Sequence, residues 1–154
     1  MRGGVAALAV IALLSLAACG GSDSSAAGDD PDEEEFSAAA DRSTCLADAQ
    51  PVDGFPEGYP ADFPMPPQTV VYDAEDRGTE GVVVTGVTDL AFKDVLAALN
   101  GPAQDAGFKV TNGETEEHDA EANWDGNGYR GRWAIRESAS CPGETVVQVL
   151  ATSE

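Results

Sequence analysis

From Glu117 to Glu137 nearly every second residue falls in one chemical class, and this alternation constrains the fold more than any other feature of the chain. His118, Ala120, Ala122 and Trp124, then Tyr129, Gly131, Trp133 and Ile135, make one face. Glu117, Asp119, Glu121, Asn123 and Asp125, then Arg130, Arg132 and Arg136, make the other. A period of two belongs to a strand with one face buried. Between the halves, Asp125-Gly126-Asn127-Gly128 is a hairpin turn signal. With Asn127-Gly128 in the turn, Trp124 stands opposite Gly131, Asp125 opposite Arg130 and Asp119 opposite Arg136. Sliding the turn to Gly126-Asn127 changes the partners but preserves both faces.

The neighbouring elements follow from shorter patterns. Thr69–Tyr72 is a short β-prone run, and Asp73–Glu80 has the polarity of a loop. The continuous valines of Gly81–Val87 suit a strand buried on both faces. Thr88 or Asp89 can cap a helix, whose apolar stripe is Leu90, Phe92, Val95, Leu96 and Leu99. Asn100-Gly101-Pro102 ends or kinks it, with one more turn available up to Gly107. Phe108–Thr111 reads as a strand, Asn112-Gly113 as a turn and Thr145–Leu150 as a last strand. The expected fold is a single small α+β domain over 69–154, a mostly antiparallel sheet of five or six strands with one helix across a face. If the strands on either side of the helix pair in parallel by a right-handed crossover, the sheet is mixed.

Before the domain the composition changes twice. Residues 45–68 are rich in proline, with aromatic-proline pairs at Phe55-Pro56, Tyr59-Pro60 and Phe63-Pro64. Proline fixes φ and extends its predecessor, so this is a strap rather than a helix. Its aromatics either pack on the domain or offer a docking motif to a partner's aromatic groove. Residues 19–44 read as a disordered acidic tether containing Asp29-Asp30-Pro31-Asp32-Glu33-Glu34-Glu35, with too little apolar bulk to offset its ordering entropy. The whole chain of 154 residues carries 8 basic and 28 acidic side chains, a formal charge of −20. A surface of that sign repels phosphate backbones, so no nucleic-acid partner is expected.

The start of the chain is of a different kind. Met1-Arg2 precedes an apolar run from Val5 to Leu16, and Leu16-Ala17-Ala18-Cys19 closes it. About a dozen apolar residues make a helix of roughly 18 Å, too short for a hydrocarbon core of about 30 Å. A charged start, a short apolar core and small residues before a cut describe a secretory signal peptide, here residues 1–18. With a cysteine directly after Leu-Ala-Ala, this segment resembles the lipobox of bacterial lipoproteins. The resemblance covers residues 1–19 and implies a diacylglyceryl group on Cys19, a membrane partner held through that lipid, and residence on the outer face of the cytoplasmic membrane. Two acyl chains make a stable anchor where one is marginal. The general plan of anchor, acidic tether, strap and small domain is similar to small lipoproteins of GC-rich Gram-positive bacteria.

Outside the cytoplasm a disulfide persists, and the remaining cysteines are Cys45 and Cys141. Bridging them closes a loop of roughly a hundred residues, worth about 4–5 kcal/mol in the chain-entropy account. Unpaired thiols or a two-cysteine metal site are the alternatives, and two such ligands do not make a metal signature.

Three groups invite a chemical role. Arg130, Arg132 and Arg136 could form an anion-binding row, or be ion-paired with the acidic residues of the facing strand. Trp124, Tyr129 and Trp133, with His118 beside them, are either core or an open ligand face. Imidazole is the usual proton-exchanging group near neutrality, and His118 is the sole histidine. Catalysis would need a nucleophile and an orienting carboxylate to converge on it, and no G-x-S-x-G motif occurs. The expectation is therefore a non-catalytic lipoprotein that displays a binding domain to a protein or small ligand of the envelope. No catalytic residue, metal or cofactor is assigned. The competing expectation is a small envelope enzyme, or a regulatory subunit of one, centred on His118.

Overall fold

The structure is a computed structural model and describes residues 44–154. The proposed signal peptide, Cys19 and nearly all of the acidic tether lie outside the described residues. Among those described, no helix is long and apolar enough to cross a membrane.

The domain is α+β: one six-stranded sheet, every neighbouring pair antiparallel, with one main helix across it. Its strands are β1 (Val70–Asp76), β2 (Val82–Thr88), β3 (Lys109–Thr115), β4 (Asp119–Gly126), β5 (Tyr129–Glu137) and β6 (Thr145–Ser153). Their spatial order is β1-β2-β6-β5-β4-β3. Helix α1 (Phe92–Asn100) and a single turn, α2 (Pro102–Asp105), join β2 to β3. Those two strands run in the same direction but are not neighbours, because β6, β5 and β4 lie between them. The expected antiparallel sheet is thus present, and the parallel crossover pairing that would have made it mixed does not form. The connection spans four interstrand spacings, roughly 19 Å, which is why it holds the helix.

The β4–β5 hairpin has the register read from the alternation. Trp124 pairs with Gly131, Asp125 with Arg130 and Asp119 with Arg136. Asn127 (φ 54°) and Gly128 (φ 81°) form the two-residue turn, both left-handed as a type I′ turn requires. Gly131 has a packing reason to be bare. A Cβ there would lie 1.9 Å from the Leu150 carbonyl oxygen and 2.6 Å from the Trp124 ring, which occupies that space.

Three local expectations are overturned. Asn112-Gly113 is not a turn but the middle of β3, where the register shifts between Val110 and Asn112 to form a bulge. The reversal comes at Glu116–His118, closed by the Glu116 amide donating to the Asp119 carbonyl at 2.8 Å. The dipeptide lost because Gly113 pairs with Ala122 and extends a ladder already begun at Lys109. The second concerns the helix cap. Helix α1 starts at Phe92 after Ala91, with no side-chain cap, while the Thr88 hydroxyl accepts from the Leu90 amide at 3.2 Å and shapes the bend before it. Strand β1 also continues through Asp73–Asp76. It is an edge strand, so its outer side chains can be charged without cost.

The core lies between the sheet and a layer made jointly by α1 and the strap. Phe92, Val95 and Leu99 bring the helix stripe onto Val84, Trp133, Ile135 and Val147. Tyr59 and Phe63 of the strap are each 5% exposed. Phe63 stacks at 5.1 Å from both Phe108 and Trp124. The strap therefore packs on its own domain, and of its aromatics only Phe55 is exposed. Burial also pushes the Tyr59 phenol well above its ordinary pKa.

The opposite face of the sheet is covered unevenly. At one end Thr85, Val87, Val146 and Gln148 are buried, and Val83 is buried on β2 beside Leu150. The chain enters beside this end and is fastened there. Cys45 is bonded to Cys141 (Cα–Cα 5.7 Å), the Leu46 amide donates to Glu144 at 2.9 Å, and the Val52 amide donates to the Val71 carbonyl at 3.0 Å. At the other end the face is open.

Candidate functional site

The open end of the second face holds a concavity of about 560 Å³, within the range of small-molecule sites. Strand register alone builds it. Asn123, Arg132 and Leu150 align across β4, β5 and β6, and Asp125, Arg130 and Thr152 align in the next row outward. Because successive side chains alternate faces, Arg130 and Arg132 both point away from the core whose other side holds Trp133. Thr111, carried out by the β3 bulge, closes the flank beside Asn123, its hydroxyl donating to the Asn123 carbonyl at 3.3 Å. Glu154 closes the other flank, its amide donating to the Gly128 carbonyl at 3.0 Å.

The two arginines differ. Arg132 is ion-paired with Glu121, one step diagonally across β4, and its side chain is only 17% exposed. Arg130 is exposed and makes no hydrogen bond or ion pair to another described residue, although Asp125 is its direct cross-strand partner. The row thus splits, with the ion-paired reading holding for Arg132. Arg136, next to the buried end, lies outside the concavity.

The aromatic residues do not form an open face with His118. Trp124 and Trp133 are each 2% exposed, and Tyr129 is half-buried at the margin of the core. Most of their surface is spent on packing, though Trp124 also lines the concavity. His118 sits in the β3–β4 turn, its side chain 63% exposed. Its Nδ1 lies 2.9 Å from Glu137 Oε2 and its Nε2 3.8 Å from Glu117 Oε1. Glu137 thus engages Nδ1, while Nε2 lies beyond hydrogen-bond reach of Glu117. One cluster has a metal-ligating composition, Cys45, Cys141 and Glu144. Its sulfurs are spent on the disulfide, and Glu144 accepts from Leu46.

What sequence reasoning missed was Thr111, Leu150, Thr152 and Glu154 as companions of the arginines. Only Asn123 and Asp125 were on the same predicted face, and the others join through pairings distant in sequence. The chain matches no protein family, no curated protein and no solved structure.

Proposed function

We propose that the protein is a membrane-anchored lipoprotein of the cell envelope that displays a small, non-catalytic binding domain outside the cytoplasmic membrane. Cys19 carries the lipid, residues 20–44 space the domain from the bilayer, and the sheet's open end receives the ligand. The observation that carries the binding role is the concavity around Arg130, which gathers charged and polar side chains from four strands. A Cys45–Cys141 bond fits the compartment, since disulfides persist outside the cytoplasm.

The anchor and the binding role are tested separately. Metabolic labelling with an alkyne fatty acid should mark the wild type and not Cys19→Ala, and equal labelling of both would remove the lipobox assignment. For binding, NMR titration of the full chain with envelope fragments should give saturable shifts at Gly131 and Leu150 without turnover. Steady product formation that is lost in His118→Ala would favour an enzyme instead.

A further inference from the structure

Resting on that binding role, we propose that the concavity takes a small zwitterion, an amino acid or dipeptide with a free carboxylate and a free ammonium. The site carries charges of both signs: Arg130 and Arg132 on β5, with Asp125 on β4 and Glu154 beyond β6. Arg130 and Asp125 face each other across the ladder yet form no ion pair, so each charge meets solvent by itself and a ligand can bridge them. A guanidinium presents a planar fork of donors that matches a carboxylate. Arg132, already oriented by Glu121, supplies a second positive group from a fixed position. Asp125 and Glu154 are acceptors for an ammonium, which has three donors and no lone pair.

The charge of the whole chain narrows the choice further. A protein with a formal charge of −20 repels a simple anion before it reaches the arginines. A zwitterion brings no net charge into that field and can satisfy both halves of the site. A simple cation would leave Arg130 unused. Between the charged groups Leu150 and the main chain at Gly131 form a less polar floor that suits a short aliphatic side chain.

The test is an NMR titration of the full chain with alanylalanine. Two blocked forms serve as controls: N-acetyl-alanylalanine, which keeps only the carboxylate, and alanylalanine amide, which keeps only the ammonium. Saturable shifts at the Arg130, Gly131 and Leu150 amides are expected with the free dipeptide, and each blocked form should bind at least ten-fold more weakly. Arg130→Ala should weaken the free dipeptide at least ten-fold. Asp125→Asn should do the same while leaving the residual binding of the N-acetyl form unchanged. Equal affinity for the N-acetyl form would make this a bare anion site and overturn the proposal, as would the absence of saturable shifts at millimolar dipeptide. If another envelope fragment then saturates the same amides, the ligand class is wrong and the binding role stands. If no fragment does, the binding role falls too.

Discussion

The two faces of this sheet are built from the same six strands and differ in what they do with their side chains. The face under α1 and the strap has aromatic and aliphatic groups interlocked to near-zero exposure, including both tryptophans. The other face is closed near the disulfide and along β2, and beyond Gln148 its β4–β5–β6 side opens into a hollow bordered by arginines and carboxylates. Side chains on the first face replace water with dense packing, whereas Arg130, Asp125 and Asn123 on the open part of the second keep their hydration. Stability is therefore concentrated on one side and the proposed recognition falls on the other, a division that alternation along β4 and β5 makes at every second residue.

The largest effect should come from the fastening at the closed end. Reducing Cys45–Cys141 releases a loop spanning 96 positions, worth about 4–5 kcal/mol, and should lower Tm by about 10 °C or more. Thermal melts with and without reductant measure it. Two alkylatable thiols in membrane-purified protein would show that the fastening is absent there. Next, Trp133→Ala on the packed face should cost about 3–5 kcal/mol in urea titration. A near-neutral result would mean that the first face is not the stabilising one.

A smaller, pH-dependent effect belongs to Tyr59. Its folded pKa lies above the unfolded value of about 10, so its contribution is fully present below pH 10. It is lost as pH rises further, because the unfolded chain releases the proton first. Tyr59→Phe should flatten the alkaline limb of the stability curve while leaving neutral stability almost unchanged, and urea midpoints from pH 8 to 11 would show it. The smallest effect is expected on the open face. Arg130→Ala should change stability by under about 0.5 kcal/mol, while Arg132→Ala, which strips Glu121 of its partner, should cost under about 1 kcal/mol. If Arg130→Ala were as damaging as Trp133→Ala, the division between the faces would collapse.

The parts legible in the sequence are those whose cause is local. The β4–β5 hairpin needs only a period of two and a dipeptide that accepts two left-handed residues, so its faces could be read to the residue and its register narrowed to two, of which the structure has the one with Asn127-Gly128 in the turn. The strand order was not legible. It depends on β6 inserting between β2 and β5, a pairing of residues near 85 with residues near 148 that leaves no local mark. The Asn112-Gly113 turn signal misled for the converse reason, since a local preference gave way to a ladder set by β4. The concavity was half legible: Arg130, Arg132, Asn123 and Asp125 fall on one predicted face. Leu150, Thr152 and Thr111 join them only once two further strands and a bulge are in place.

The position of the disulfide also decides how the domain would carry tension. A pull arriving through residue 44 meets Cys45 and passes through sulfur to Cys141, in the loop between β5 and β6. Those two strands carry Arg130, Arg132 and Leu150 at their far end, where a bound partner would hold. The force path is then short and runs along two adjacent central strands, both pulled the same way from the loop that joins them, so their mutual hydrogen bonds are not sheared against each other. The strap, β1 and α1 belong to the covalent loop that the bridge short-circuits, and they bear none of it. Without the bridge the same pull would reach the strap first and peel its aromatics from the core one at a time.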